Sequence, residues 1–333
     1  YLMQTLAAID VGSNAMRLVV GRLSYEDKLE TVENLRLPVR LGQDAFSLKQ
    51  IQEGTAQLAF DAFIRFRKVA DDYGVERIRA VATSAMREAG NSDILCNRIA
   101  RATGIKVEII SGEEEARLIH LAVSSVVPLK NKHTMLVDIG GGSVEVTLSQ
   151  GNNILSTESY NMGTVRLLAK LSQKPAKLPF DELVREYAEA ARRRIEREIK
   201  HKKIDVCIGT GGNIEEMGAL RKKLFKRESD SAITFEELEK LSKILSKMPV
   251  EERMRKLKLK PDRADVILPA IIVLKTIAKE ARVNEIKIPG VGLKDGLLLD
   301  LAQSLSKAPR TSRNEQVWMS AMRLGEKYQF DGE

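Results

Sequence analysis

Aromatic side chains make up only 5% of this 333-residue chain, with a single tryptophan, which argues against a nucleic-acid surface built on stacked bases. Cysteine is as scarce. Cys96 and Cys207 each sit in an apolar segment, as thiols of a reducing compartment do, so neither a disulfide framework nor redox chemistry is expected. His120, His133 and His201 show no metal-ligand spacing, and neither G-x-S-x-G nor G-x-x-x-x-G-K-[ST] occurs, which disfavours a covalent serine or P-loop mechanism. The longest apolar run, Val266–Leu274, contains a proline and is about half of what a membrane helix needs. The N-terminus enters a strand-like segment, Leu6–Val11, without the stages of a secretory signal. The expectation is a cytoplasmic chain with no membrane and no specific nucleic acid as partner.

What is present is apolar mass and charge: 43% hydrophobic and 30% charged residues, enough for a substantial core and about two domains. The net charge is +8, and its positive excess lies in the second half, in runs such as Arg192–Arg194, His201–Lys203, Arg221–Lys223 and Arg253–Lys260. Such runs are either solvated helix faces or a field that attracts a polyanion.

Three segments share one design, an apolar strand running into a small, glycine-rich turn: Ala7–Asn14, Met135–Ser143 and Val206–Asn213. The first two continue into a second β-type run, Met16–Val20 and Val144–Leu148, so each reads as a hairpin, and the repeat suggests duplicated domains. Strands at 78–83 and 106–110 alternate with helices at 51–73, 93–103 and 111–127, the pattern of an α/β fold. Pro128 marks the crossover. The second half should carry helices at 181–200, 214–227, 234–247 and 262–282, a strand at 285–288 and a helix at 294–306. Domains are therefore expected at 1–127 and 128–308, with a helical tail at 309–333.

Successive N–H groups of a glycine-rich turn form a concave anion site, so Gly12, Ser13 and Asn14, Gly140, Gly141, Gly142 and Ser143, and Gly211, Gly212 and Asn213 are candidate phosphate contacts. Each alone could be a tight turn; the matched pair favours the grip. Asp10 and Asp138 end the first strands, where they could hold a divalent cation or simply form turns. Ser143 and Glu145 share a strand face, and both could point into the cleft, although the alternation also suits a solvent-facing glutamate. Ser111-Gly-Glu-Glu-Glu115 opens a helix. Ser111 and Glu114 fit a capping box, leaving Glu115 as the candidate base. Arg17 and Arg87 are candidate phosphate ligands or surface ion pairs.

Ile9–Asn14, Val81–Ala89 with Asn91, Ile110–Arg117, Val137–Glu145, Gly209–Gly212 and Gly292–Leu298 together resemble the ordered motif set of the exopolyphosphatase/guanosine pentaphosphate phosphatase family, across residues 6–305. The resemblance implies two ribonuclease-H-like domains of the actin-like ATPase fold around a deep cleft. It implies Mg²⁺ dependence, with other divalent cations as alternatives and K⁺ as an assistant. By position it assigns Glu115 as catalytic glutamate, and Asp138 and Glu145 as metal- and water-positioning carboxylates. Gly140, Gly141, Ser143, Ser13, Asn14 and Arg87 take phosphate contacts. Asn213 stands where threonine is common, and Lys294-Asp295 where Arg-Glu is. Residues 312–333 are similar to the start of an HD-like helical domain in longer members.

These readings converge on Mg²⁺-dependent release of terminal phosphate from inorganic polyphosphate, with Glu115 as general base and a homodimer allowed. Hydrolysis of guanosine pentaphosphate is the near alternative. The more distant ones are a nucleotide-binding actin-like or kinase protein and a polyphosphate sensor that does not cleave. The basic second half favours the long inorganic chain.

Overall fold

The computed structural model describes residues 4–24, 28–172 and 203–305, with positions 182, 189, 193, 196 and 197 in between. The expected helical tail at 309–333 and most of the helix expected at 181–200 lie outside the described residues. A first sheet contains β1 (Gln4–Val11), β2 (Met16–Leu23), β3 (Leu29–Leu37), β4 (Arg77–Ala82) and β5 (Val107–Ile109), in the order β3-β2-β1-β4-β5. A second contains β6 (His133–Ile139), β7 (Val144–Gln150), β8 (Asn153–Tyr160), β9 (Val206–Thr210), β10 (Ala232–Thr234) and β11 (Glu285–Lys287), in the order β10-β11-β9-β6-β7-β8. The meander β1-β2-β3 with parallel β4 and β5 recurs as β6-β7-β8 with parallel β9 and β11. The duplication expected from the two hairpins is thus a duplication of whole ribonuclease-H-like sheets.

Residue alternation explains the layering. In β1, Ala7, Ile9 and Val11 join one apolar cluster while Leu6 and Ala8 join another, so the strand is covered on both faces. The outer face of the first sheet packs under α1 (Leu41–Leu48), α2 (Glu53–Asp72) and α4 (Ser92–Thr103). The outer face of the second sheet, with Met135, Val137 and Ile139 of β6, packs under α7 (Gly212–Leu224), α8 (Phe235–Ser246) and α11 (Ile267–Glu280). Between the sheets lie α5 (Gly112–Val126) and α12 (Leu293–Leu305), whose Leu118, Ile119, Leu297 and Leu298 share a cluster with Leu6, Ala8, Leu136 and Ile208.

Helix α12 therefore packs on β1, β2 and α5, although the sequence groups it with the second domain. The close approach of α5 and α12 requires glycine, because a Cβ on Gly296 would stand 1.8 Å from the Leu118 carbonyl oxygen. The helix expected at 262–282 is broken into α10 (Pro261–Ala264) and α11, with α9 (Val250–Leu257) before them. Among the described residues, no helix is long and apolar enough to cross a membrane.

Candidate active site

The same alternation that covers both sheet faces aims the functional side chains. Asp10 follows Leu6 and Ala8 onto the inner face of β1, and Asp138 follows Leu136 onto the inner face of β6. Across the hairpins, Asp10 pairs in register with Arg17, and Asp138 with Glu145. All four side chains thus face the layer that holds α5. Ser111 caps that helix by accepting from the Glu114 N–H at 3.2 Å, and its first turn carries Glu115.

Glu115, Asp138 and Glu145 are buried, and one carboxylate oxygen from each lies within 4.8 Å of the others. Glu145 Oε1 accepts from Ser159 Oγ at 2.8 Å, and Asp138 Oδ1 accepts from Thr210 Oγ1 at 2.5 Å. Glu145 Oε2 and Glu115 Oε2 have no hydrogen-bond partner among the described residues. Burial, and then the charge of Asp138, push Glu145 up to about 7. Burial, followed by Glu145, Asp138 and Asp10, raises Glu115 well above the carboxylate range, and burial raises Asp10 to about 6 against the pull of Arg17. Buried, mutually repelling carboxylates with free oxygens form a donor set suited to a hard divalent cation. The set that meets ligand spacing is Glu115, Asp138 and Glu145, whereas the sequence pointed to Asp138, Glu145 and Asp10.

These carboxylates face three glycine-rich loops. A cavity of about 100 Å³ is lined by Asp10, Gly12, Ser13, Asn14 and Arg17 from the first hairpin, and by Asp138, Gly140, Gly141, Gly142 and Ser143 from the second. Gly211, Gly212, Asn213 and Glu115 are also among its lining residues, so both hairpin loops and the third turn meet at one place.

The second loop is held from behind. The Gly140 carbonyl accepts from the Thr164 N–H, that of Gly141 from the Val165 and Arg166 N–H groups, and that of Gly142 from the Gly163 N–H, where α6 (Thr164–Ser172) begins. A trans peptide points its carbonyl and N–H in opposite directions. With these carbonyls turned towards α6, the N–H groups of Gly141, Gly142 and Ser143 are turned towards the cavity. The approach is close: a Cβ on Gly142 would stand 2.0 Å from Ser84 Oγ, and one on Gly163 within 2.4 Å of the Gly142 backbone.

Several sequence-derived candidates have partners that define their role. Arg87, on α3 (Ser84–Glu88), is exposed, donates to the Ile110 carbonyl and does not line the cavity, but its charge reaches Glu115 and Glu145. Asn14 donates to the Asp262 carbonyl at 2.9 Å and accepts from Arg40 Nε at 2.9 Å, so its side chain ties the two lobes together. Glu114 does not complete a capping box; its carboxylate takes both Nε and Nη2 of Arg117 at 2.8 and 2.9 Å. The complete box is elsewhere, between Thr234 and Glu237. Within the basic run 253–260, Arg253 is buried and spends its guanidinium on the Ala264 and Leu245 carbonyls.

Sequence reasoning missed Arg263, Thr210 and Ser159. Arg263 lines the cavity, donates to Asn213 Oδ1 at 2.9 Å, and is lowered to about 10 by burial and then by the charges of Arg36 and Arg17. Beside it a clasp joins the lobes. Arg40 is bidentate to Asp265 at 2.6 and 3.0 Å, and Arg36 pairs with Asp262.

Duplicated ribonuclease-H-like sheets with a small, glycine-walled cavity between them define the actin-like class of fold. Within that class, the model of the Ppx/GppA phosphatase family matches residues 20–305, and the chain belongs to this family. It is 26% identical over 341 residues to a guanosine-5′-triphosphate,3′-diphosphate pyrophosphatase of Photobacterium profundum, covering 98% of this chain and 63% of that protein. The chain thus spans less than two thirds of that relative's length. An exopolyphosphatase structure from Cytophaga hutchinsonii is 26% identical, with a TM-score of 0.84 over 91% of this chain and 99% of that one. The Aquifex aeolicus Ppx/GppA family member is 25% identical, with a TM-score of 0.76 over 92% and 100%.

Proposed function

We propose that this chain hydrolyses the terminal phosphoanhydride bond of inorganic polyphosphate, with Glu115 as general base. The observation that carries the reading is a buried carboxylate, Glu115, with a free oxygen opposite amides turned outward from a glycine loop. Glu115 Oε2 takes a proton from a water held against the terminal phosphorus. Raised basicity suits that step, because a carboxylate displaced upward accepts a proton more readily once ionised. As the bond to the leaving phosphate lengthens, charge on the equatorial oxygens meets the N–H groups of Gly141, Gly142 and Ser143 and the positive field of Arg17 and Arg263. Asp138 and Glu145 would hold Mg²⁺, which when bound neutralises phosphate charge and returns its ligands to the ionised state.

Among the described residues, the cavity lining has no aromatic side chain and few apolar ones, which favours an inorganic chain over a nucleotide base at this point. The name of the P. profundum relative keeps guanosine pentaphosphate as the second reading. Phosphate release from long polyphosphate, guanosine pentaphosphate and ATP, followed side by side with and without Mg²⁺, tests both. Release from polyphosphate alone supports the first reading, release from the nucleotide the second. Tight ATP binding without any release would overturn them in favour of an actin-like switch or kinase.

A further inference from the structure

Arg166, on the first turn of α6, is buried at 4% exposure and makes contacts on three sides. Its Nε donates to the Gly142 carbonyl at 2.6 Å, while the other donor to that carbonyl, the Gly163 N–H, is longer at 3.3 Å. Its Nη1 and Nη2 form a fork on Glu88 of the first lobe, at 2.9 Å for Nη1. Its flat face lies 4.0 Å from the ring centre of Phe46 on α1, also of the first lobe. Glu88 directly follows Arg87 and is pulled below its ordinary range by Arg166 and Lys49 despite partial burial.

The Gly142 peptide orients the Ser143 N–H, so the group that fixes its carbonyl fixes one of the amides facing the cavity. That group is itself fixed by the opposite lobe. We propose that Arg166 is a positioning residue that makes the phosphate-binding form of the Gly140–Ser143 loop conditional on contact between the lobes, through Glu88 and Phe46. With the lobes together, the Glu88 fork and the Phe46 face leave the guanidinium one orientation, with Nε on the loop. With them apart, Arg166 loses both supports, and the Gly142 carbonyl keeps only the longer bond from the Gly163 N–H, so the peptide is held less tightly. The loop would then bind phosphate only when the first lobe's Arg17 and Glu115 are close enough to act on it. This rests on the phosphohydrolase reading, and only a guanidinium has the planar geometry for all three contacts.

The test separates the two ideas by measuring binding without turnover. In a Glu115→Gln background, the affinity for tripolyphosphate with Mg²⁺ is read by calorimetry for Arg166→Gln, Glu88→Gln and the pair. Arg166→Gln should weaken binding about tenfold, the equivalent of one charge-assisted hydrogen bond. Glu88→Gln should weaken it by a smaller factor, and the double variant should bind no worse than Arg166→Gln, because Glu88 acts through Arg166. Unaltered binding in Arg166→Gln, or effects that simply add, would overturn the proposal. If Arg166→Gln does not fold, Arg166→Lys carries the same expectation. Hydrolytic inactivity of the unmodified protein on every phosphoanhydride would instead sink the function and leave the binding comparison standing.

Discussion

Arg17 and Glu145 occupy the same place in two copies of one hairpin. Each lies directly opposite the strand-end aspartate, one pair before the turn, on the face towards α5. One copy thereby sets Asp10 against a guanidinium, and the other sets Asp138 against a second carboxylate. The duplicated scaffold has divided its work: the first hairpin offers positive charge to an anion, and the second gathers negative charge around a cation and a base.

The base assignment predicts that Glu115→Gln lowers kcat by about 10²–10⁴ with little change in substrate affinity. Glu114→Gln should keep most activity but lose thermal stability, because Arg117 gives up a bidentate partner and is left with Asp300 at 3.0 Å. Steady-state kinetics and melting curves on the two variants must diverge in opposite senses; a fully active Glu115→Gln would move the base elsewhere.

The raised carboxylates predict an unusual pH dependence. Glu145 at about 7 and Asp10 at about 6 retain protons in the folded chain that the unfolded chain releases near pH 4–5. Folded protein then binds more protons across that interval, so their contribution to stability falls as pH rises from about 4.5 to 7. For Glu145 the loss is on the order of 3 kcal/mol. Relative to wild type, Glu145→Gln should gain melting temperature between pH 5 and pH 8 without divalent cation. Added Mg²⁺ should stabilise wild type more at pH 8 and release protons on binding, measurable by calorimetry in buffers of different ionisation enthalpy.

At the crossing of α5 and α12, Gly296→Ala sets two effects against each other. Alanine gains about 1 kcal/mol of helix propensity. A methyl 1.8 Å from the Leu118 carbonyl cannot fit, however, and overpacking of this kind costs about 1–3 kcal/mol or more. The clash wins, so the melting temperature should fall. Gly54→Ala, where nothing lies within 4 Å of the added carbon, should leave stability unchanged or slightly raised.

The clasp beside Arg263 should govern opening. Its side chains are only partly exposed, at 23% and 29% for Arg40 and Asp265, so the pair is screened less than a free surface pair. Arg40→Gln with Asp265→Asn should increase the radius of gyration in solution scattering. Saturating polyphosphate should reverse the increase if the lobes close on it, and identical scattering for wild type and variant would remove the clasp from the mechanism.

What the sequence made legible was local. The strand-to-glycine turns, the matched hairpins and the helix opening at Ser111 depend on neighbours within a few residues, and they lie where spacing predicts. The outer strands β3 and β8 were missed because, with few buried positions, they lack the apolar alternation that marks a strand. Helix α1 was missed because it is only eight residues long. Arg263 reaches Asn213 across fifty residues, and Arg166 reaches Glu88 across seventy-eight, so no local pattern announces either. The S-x-x-E spacing misled for a local reason: Arg117, one turn further on, takes both oxygens of Glu114 and draws it away from the cap.

The contact between Gly296 and the Leu118 carbonyl also has a mechanical meaning. If the lobes swing about this crossing, it serves as a fulcrum, and displacement grows with distance from it. Glu115 lies three residues along α5, an arm of about 4.5 Å, whereas the far end of the helix at Val126 lies eight residues away, about 12 Å. A rotation about the crossing would then move the base by less than half as much as the far end of the helix, so the carboxylate would shift less than the walls that open around it.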